Sequence, residues 1–346
     1  MNNQMIEQLR ELIEIPSPTG YDREILPYIE GKIKESGLEI WRLNKGAILA
    51  KLPGQSEEAI LFSAHVDTLG AMVKEIKSNG RLKVSMLGGC PWISLDAENC
   101  LVRTAEDRRI SGTFQGTKPS VHIDGGDVSK TERTQDTTEL ILDEKVESKE
   151  DVEKLGIEVG DFVFVDPRFT ALPNGFIKTR YLDDKASVAI LLEAIQALKA
   201  ETLKNTLYFF ISTYEEVGHG AAAGVPSQVR EFIAVDMGAP GNGQNSSEFA
   251  VNICAKDSSG PYDLDIKERM VKLCKDQAIP YKVDIYTYYG SDASASLRAG
   301  HDLRTGLIGA GVFASHGYER THIDSMQATL DLVLAYARAG LAPESR

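Results

Sequence analysis

The second half of the chain alternates helices with short, continuously apolar strands, and this alternation constrains the fold more than any other feature. Leu207–Ser212 and Phe232–Val235 lack the polar alternation of a half-exposed strand, which is typical of strands covered on both faces. The segment 188–198 is apolar almost all round and predicts a buried helix. Together these segments predict an α/β fold in which helices cover both faces of a mainly parallel sheet.

The first part of the chain predicts an amphipathic helix before Pro16, and then an apolar strand at Ala59–Ala64 that ends in His65. From about residue 68 the sequence pattern changes to short β-branched runs interrupted by glycine, which indicates a smaller β-rich domain. Helices and apolar strands resume after residue 168. The prediction is therefore one α/β domain formed by residues 1–67 and 169–346, interrupted by an inserted domain at 68–168.

Charge and cysteine usage exclude several classes of protein. The 51 acidic and 38 basic residues give a formal net charge of -13, which repels nucleic acid and anionic membranes. The four cysteines form no CxxC pair, so neither a zinc knuckle nor a disulfide framework is expected. No signal-peptide pattern and no apolar run of ~18 residues occurs. We expect a soluble, cytoplasmic protein.

Ionisable residues follow several of the predicted strands. His65 and Asp67, Glu215 and Glu216, Asp236, and His322 each lie in a segment after an apolar strand, and Asp183 and Asp184 begin the buried helix. Ligands of open parallel sheets bind in the crevice at the carboxyl ends of the strands. The sequence therefore predicts that these distant segments converge on one cleft.

Two histidines among several carboxylates suit zinc, cobalt or manganese better than calcium or magnesium, which prefer oxygen ligands alone. So many carboxylates in one cleft would repel each other unless cations neutralise them. Each residue also has an ordinary structural interpretation: Asp183 as a helix cap, Glu215 in a solvated turn, and His65 in a salt bridge with Asp67. Only their combination predicts a metal centre.

In combination these motifs resemble, in one order over nearly the whole chain, those of the tetrahedral aminopeptidases, a family that includes glutamyl and deblocking aminopeptidases and proteins labelled cellulase M. The motifs are His65-Val66-Asp67, Tyr181-Leu182-Asp183-Asp184-Lys185, Glu215-Glu216-Val217-Gly218, Val235-Asp236, Gly290-Ser291-Asp292-Ala293 and Glu319-Arg320-Thr321-His322.

The resemblance implies a zinc-peptidase-like α/β/α sandwich with an inserted β-barrel-like dimerisation domain, and a homo-oligomer built from dimers, such as a dodecamer. It implies two divalent ions per subunit, zinc or cobalt, and short peptides as substrates. The implied ligands are His65 and Asp236 for one ion, Glu216 and His322 for the other, and Asp183 bridging both. Glu215 would be the general base on a water shared by the ions, and Asp67 would orient His65.

Two departures from the family pattern leave alternatives open. His219-Gly220 follows Glu-Glu-Val-Gly where many relatives have Leu-Arg, and the last histidine lies in Glu-Arg-Thr-His. The second departure leaves His316 as an alternative final ligand, but we favour His322, with Asp324 beside it. If His322 is the ligand, we expect His316 to contact substrate, together with Asp292. The segments expected to wall the pocket contain Lys256, Asp257, Tyr288 and Tyr289.

The sequence also leaves alternative reactions open. A dinuclear deacylase, dipeptidase or carboxypeptidase would use nearly the same ligands. A glycoside hydrolase would need two carboxylates and no metal, and a non-enzymatic binding protein would need none of these groups. The preferred side chain at the substrate N-terminus and the native metal are not determined by the sequence.

Overall fold

The computed structural model describes residues 3–343. The helices, in chain order, are α1 (Asn3–Glu14), α2 (Ile25–Lys34), α3 (Val121–Asp124), α4 (Asp127–Lys130), α5 (Lys149–Lys154), α6 (Leu182–Leu198), α7 (Leu264–Asp276), α8 (Asp292–Arg298) and α9 (Ile323–Ala339), with a 3-10 turn at Trp92–Leu95.

The strands, in chain order, are β1 (Glu39–Arg42), β2 (Ile48–Leu52), β3 (Ser56–His65), β4 (Gly70–Ile76), β5 (Leu82–Leu87), β6 (Asn99–Arg103), β7 (Arg109–Gly116), β8 (Thr138–Leu142), β9 (Phe162–Val165), β10 (Thr170–Ala171), β11 (Phe176–Thr179), β12 (Asn205–Ser212), β13 (Val229–Gly238), β14 (Val251–Asp257), β15 (Gly260–Pro261), β16 (Tyr281–Ile285), β17 (Arg304–Gly311) and β18 (Glu319–His322).

The chain divides into two compact units. The first consists of the described residues within Met1–Thr68 and Arg168–Arg346, and the second of Leu69–Pro167. The second unit contains a closed barrel of six antiparallel strands in the order β4-β5-β8-β7-β6-β9. Its interior is filled by apolar side chains such as Val84, Val102, Phe114 and Leu140.

The first unit is built on a nine-stranded sheet in the order β1-β2-β12-β3-β13-β17-β14-β15, with β16 paired to β14. The four central strands β12, β3, β13 and β17 run parallel to each other. A small sheet of β10, β11 and β18 lies in the same unit. The predicted α/β class with a mainly parallel sheet is confirmed.

Both faces of the central sheet are covered, as its apolar strands require. Along β3, Ile60 and Phe62 pack into one core with α1, α6 and α9, whereas Leu61 packs into a second core that contains Ala293 of α8. Successive strand residues point to opposite faces, so a strand between two helical layers has no polar side. The helix α6 is buried along nearly its whole length, as its sequence predicts.

The parallel arrangement determines where the ionisable residues lie. The strands β3, β12, β13 and β17 reach the same edge of the sheet with their carboxyl ends, near His65, Ser212, Asp236 and Gly311. The loops that follow them therefore share one crevice. Among the described residues, no helix is long and apolar enough to cross a membrane.

Candidate active site

The first group of candidate ligands joins β3, β13 and the start of α6. One ligand atom from each of His65, Asp183 and Asp236 lies within 4.8 Å of the other two. His65 is the last residue of β3, and its main-chain N–H donates to Asp184 Oδ2 at 3.1 Å. The structure thus brings together the residues that the resemblance assigned to the first ion and to the bridge.

The imidazole of His65 is oriented for binding a cation. Its Nδ1 lies 2.9 Å from the main-chain oxygen of Asp67, and because a carbonyl can only accept, Nδ1 carries the proton. In the neutral ring, Nε2 then presents a lone pair to Asp183 Oδ1 at 3.1 Å. Two acceptors at this distance require a cation or a second proton between them.

The second group shares Asp183 with the first. It consists of Asp183, Glu216 and His316, again with ligand atoms within 4.8 Å of each other. His316 Nε2 lies 3.5 Å from Asp183 Oδ2 and 3.5 Å from Glu216 Oε2. Glu216 Oε1 is buried without a hydrogen-bond partner among the described residues, which leaves this oxygen available to a cation.

His322, the histidine favoured from the sequence, lies outside both groups. Its Nε2 lies 2.8 Å from the carbonyl of Asn174, and its Nδ1 accepts from the main-chain N–H of Asp324 at 3.1 Å. Both ring nitrogens are therefore occupied, and the ring packs against Phe176 and Phe249. The structure places the alternative residue, His316, beside the carboxylates instead.

The carboxylate of Asp67 has a different task from the one expected. Its Oδ1 is 3.7 Å from His65 Nδ1, which is too long for a hydrogen bond. The carboxylate instead accepts the main-chain N–H groups of Glu215 and Glu216 at 3.1 and 3.3 Å, and the Thr19 hydroxyl at 2.7 Å. Asp67 orients His65 through its main-chain oxygen and holds the Glu215-Glu216 turn through its side chain.

Asp292, expected to contact substrate, is directed into the protein. It begins α8, and its carboxylate accepts the Ser212 hydroxyl at 2.6 Å and the Ala221 N–H at 2.9 Å. It is not among the described residues that line the cavity at the site. Its contacts are those of a residue that joins α8 to the end of β12.

Burial and mutual repulsion change the ionisation of the cluster. Burial raises the pKa of Glu215 and of Glu216 well above the usual value, and burial together with the Asp183 charge raises the pKa of Asp236 to about 7. Asp183 is the exception: burial opposes its ionisation, but the hydrogen bond with His65 lowers its pKa. Carboxylates that resist ionisation together are the ones that divalent cations stabilise.

The pKa of His65 is shifted upward by the same carboxylates. Burial lowers it, but the hydrogen bond to Asp183 and the charges of Glu215 and Asp184 outweigh this effect and raise the pKa well above its usual value. The imidazole therefore lies in a strongly negative environment that attracts cations.

A cavity of about 550 Å³ opens at this cluster. Its walls include Asp183, Glu215, Glu216, Asp236 and His316, together with Met237, Ser258, Tyr288, Tyr289, Ser291 and Arg298. The two tyrosines were expected from the sequence, but Arg298 was not; it lies on α8 and is the lone Lys or Arg among the described lining residues. The position of Arg298 at the end of a short helix carries no sequence signal for a site.

Tyr289 and Glu319 support the cluster without belonging to either ligand group. The Tyr289 hydroxyl contacts the main chain of Met237, the residue after Asp236. Glu319 accepts the main-chain N–H groups of His316 and Asp183. Glu319 belongs to one of the sequence motifs, but its role could not be predicted, because a contact with segments distant in sequence has no local pattern.

Residues 46–332 match the family described as M42 glutamyl aminopeptidase. The chain is 47% identical over 337 residues to the protein YhfE of Bacillus subtilis (strain 168), covering 96% of this chain and 97% of that protein. It is 26% identical over 213 residues to the lysyl aminopeptidase of Pyrococcus furiosus, covering 61% of this chain and 60% of that enzyme.

The fold is similar to that of the Pyrococcus horikoshii TET1 peptidase, which can assemble into a tetrahedron or a large octahedral shell. The TM-score is 0.85 at 26% identity, covering 96% of this chain and 99% of that chain. The resemblance inferred from the motifs is confirmed.

Proposed function

This chain belongs to the M42 glutamyl aminopeptidase family and is a peptidase, and on that premise we propose a dinuclear metal-dependent reaction that removes N-terminal residues from short peptides. The observation that carries the proposal is the pair of ligand groups that share Asp183. A carboxylate with one oxygen toward each group is the arrangement expected of a bridge between two ions.

The ligands proposed for one ion are His65, Asp183 and Asp236, and those for the other are Asp183, Glu216 and His316. The mixture of imidazole nitrogen and carboxylate oxygen suits zinc, cobalt or manganese. The unpartnered oxygen Glu216 Oε1 and the lone pair of His65 Nε2 support this fit, since a cation would satisfy each of them. The ions, when bound, would polarise the scissile carbonyl and promote ionisation of a water molecule.

Glu215 is the general base of this proposal. It lines the cavity, and its Oε2 lies 3.7 Å from His65 Nε2, but it belongs to neither ligand group. A raised pKa makes this carboxylate a stronger base, which suits it to accept a proton from the attacking water. As the water oxygen bonds to the carbonyl carbon and the C–N bond breaks, Glu215 returns the proton to the leaving amine.

The charge of the cavity supports a substrate with a free N-terminus. Carboxylates dominate one wall, so a protonated α-amino group is attracted to the side of the reacting groups. The volume of about 550 Å³ lies in the range of pockets that hold small molecules. Short peptides are therefore the proposed substrates, and Arg298 is the cationic group that would face them.

We also propose that the barrel of Leu69–Pro167 is a dimerisation domain and that the protein is a homo-oligomer. Support comes from the similarity to the Pyrococcus horikoshii TET1 peptidase, an assembling protein. Sedimentation of the purified protein tests this: a species larger than a dimer is expected, and a 37.9 kDa monomer would contradict it.

The reaction is tested on protein stripped with a chelator. The assay compares three kinds of substrate: aminoacyl-anilides, one peptide with a free or an acetylated N-terminus, and a cello-oligosaccharide. Each is tested without metal and with added zinc, cobalt or manganese. We expect cleavage that depends on metal and on a free N-terminus.

The other outcomes assign other reactions. Cleavage of only the acetylated peptide would indicate a deacylase or deblocking enzyme. Sugar hydrolysis that survives chelation would indicate a glycoside hydrolase, which needs no metal. Either result would overturn the aminopeptidase proposal.

A further inference from the structure

Glu319 connects two of the proposed ligands through their main chains. Its Oε1 accepts the N–H of His316 at 3.0 Å, and its Oε2 accepts the N–H of Asp183 at 3.2 Å. The N–H of Leu182 also donates to this carboxylate. Glu319 is only 2% exposed, so these hydrogen bonds are shielded from competition with water.

The two amides belong to segments that are far apart in sequence and that also meet where Arg180 Nη1 donates to the main-chain oxygen of Gly317 at 3.3 Å. Asp183 lies at the start of α6, whereas His316 lies in the loop between β17 and β18. Glu319 is the first residue of β18, where it pairs in register with Thr179 of β11. The Glu319 carboxylate, on strand β18, therefore sets the distance between the loop that carries His316 and the start of α6.

The second ligand group depends on this distance between His316 and Asp183. His316 Nε2 lies 3.5 Å from Asp183 Oδ2, and the loop that carries His316 is held by main-chain contacts between Phe313 and Arg320. His316 itself is partly exposed and has a positive φ of 64°, a conformation that non-glycine residues rarely adopt. The hydrogen bond from the His316 N–H to Glu319 keeps the His316 imidazole directed at the carboxylates.

We propose that Glu319 is a positioning residue that holds the second metal site together by bridging the amides of Asp183 and His316. This inference rests on the proposed dinuclear function. Partners that orient metal ligands commonly alter metal affinity or activity 10–100-fold when they are mutated, and Glu319 acts on two ligands at once. Glu319 belongs to neither ligand group and is not among the described residues that line the cavity.

The glutamate side chain is required because it has two acceptor oxygens. In Glu319→Gln the side chain keeps its length, but one end becomes an NH₂ group that faces a main-chain N–H. One of the two connections is then lost while the volume is unchanged. In Glu319→Asp the charge and both acceptors remain, but the chain is one methylene too short to reach both amides.

Glu231 provides the matched control. It is also a fully buried carboxylate of the first unit, on β13, and it accepts the Tyr336 hydroxyl at 2.7 Å and the Ala342 N–H at 2.8 Å. Its side chain lies outside both ligand groups and outside the described cavity lining. Glu231 is also ion-paired with Arg304, so Glu231→Gln removes a buried, paired charge away from the site and reports any general loss of stability.

The experiment measures metal binding by calorimetric titration of the chelator-stripped full chain with Zn²⁺ and Co²⁺, together with the visible spectrum of the cobalt forms. We expect two ions for the wild type and for Glu231→Gln. For Glu319→Gln and Glu319→Asp we expect one ion bound normally, the second bound at least about tenfold more weakly, and an altered cobalt spectrum. Circular dichroism establishes folding, and either folded variant decides the question.

Three results would overturn the inference. Two ions bound with wild-type affinity in the Glu319 variants would show that the bridge is dispensable. Normal binding in Glu319→Asp alone would show that charge rather than bridging matters, and equal weakening in Glu231→Gln would show a general loss of stability. A wild type that binds fewer than two ions would instead refute the proposed dinuclear function.

Discussion

The carboxylate of Asp67 accepts a hydrogen bond from the main-chain N–H of Glu215, with 3.1 Å between Oδ1 and N. Asp67 follows the strand that carries His65, and Glu215 follows the neighbouring parallel strand. The Asp67 side chain thus connects Glu215, the proposed base, to the end of β3, the strand that carries His65. The imidazole is held separately, by the Asp67 carbonyl.

Asp67→Asn should lower kcat by about 10–100-fold while the protein still binds metal. The new amide NH₂ would face a main-chain N–H of the Glu215-Glu216 turn, whereas the carbonyl that orients His65 is unchanged. Kinetics and metal analysis of the same preparation check this. Asp263→Asn is the control, because Asp263 caps α7 away from the site and asparagine caps equally well. An unchanged kcat would contradict the role of the Asp67 side chain.

Glu215→Gln should retain both ions and lose ~10²–10⁴-fold in kcat, since a glutamine cannot accept the proton. The adjacent Glu216→Gln is the matched comparison and should lose affinity for the second ion. Turnover and metal content distinguish the two roles. If Glu215→Gln keeps wild-type turnover, another group is the base.

Histidine substitutions decide which ring serves the second site. His316→Ala should bind only one ion tightly. His322→Ala should bind two ions but be less stable by about 1–3 kcal/mol, because the Asn174 carbonyl and the Asp324 amide lose their partner. Metal analysis and thermal unfolding measure both effects. Loss of an ion in His322→Ala alone would reverse this assignment.

The barrel should have its own pH dependence through Glu139. Lys77 Nζ and Arg81 Nη1 donate to its carboxylate at 2.5 and 2.6 Å. Burial opposes ionisation, but these hydrogen bonds outweigh it and lower the pKa of Glu139 below its usual value. Its contribution to stability is therefore present above a pH of about 4.5 and is lost as the pH falls through the lowered pKa.

Glu139→Gln should lower the free energy of unfolding by about 2 kcal/mol at neutral pH, and the difference should shrink below a pH of about 4. Denaturant unfolding at several pH values measures it. The exposed pair of Glu153 with Lys149 is the control, since Glu153→Gln should change stability by less than ~1 kcal/mol. An equal loss at acidic and neutral pH would mean that shape rather than charge is responsible.

Much of the site was predictable because its residues are tied to strand ends and to a helix start. His65 and Asp236 lie at or near the ends of two apolar strands, Glu215 and Glu216 follow a third, and Asp183 lies in the first turn of a buried helix. Those patterns are local. Because the carboxyl ends of parallel strands meet at one edge of the sheet, the candidate residues are expected to converge there. Asp183, Glu215, Glu216 and Asp236 line one cavity. His65 lies beside it, in a ligand group with Asp183 and Asp236.

The side-chain task of Asp67 was not predictable in this way. The resemblance implied that Asp67 orients His65, but β3 ends at His65, and the Asp67 side chain turns to the main chain of Glu215 and Glu216. Asp292 was also misjudged, because its neighbours Ser212 and Ala221 come from another part of the chain.

The amino-acid sequence by itself determined the fold class and the candidate ligands at the strand ends, because hydrophobic period and residue order are local properties. Only the tertiary structure showed that His316, and not the nearby His322, lies beside the carboxylates. Strand β18 pairs with β11 and takes His322 to Asn174, while the loop before it returns His316 to Asp183. The physical reason is that hydrogen bonds between distant segments, such as those of Glu319, orient a side chain, and no local pattern encodes them.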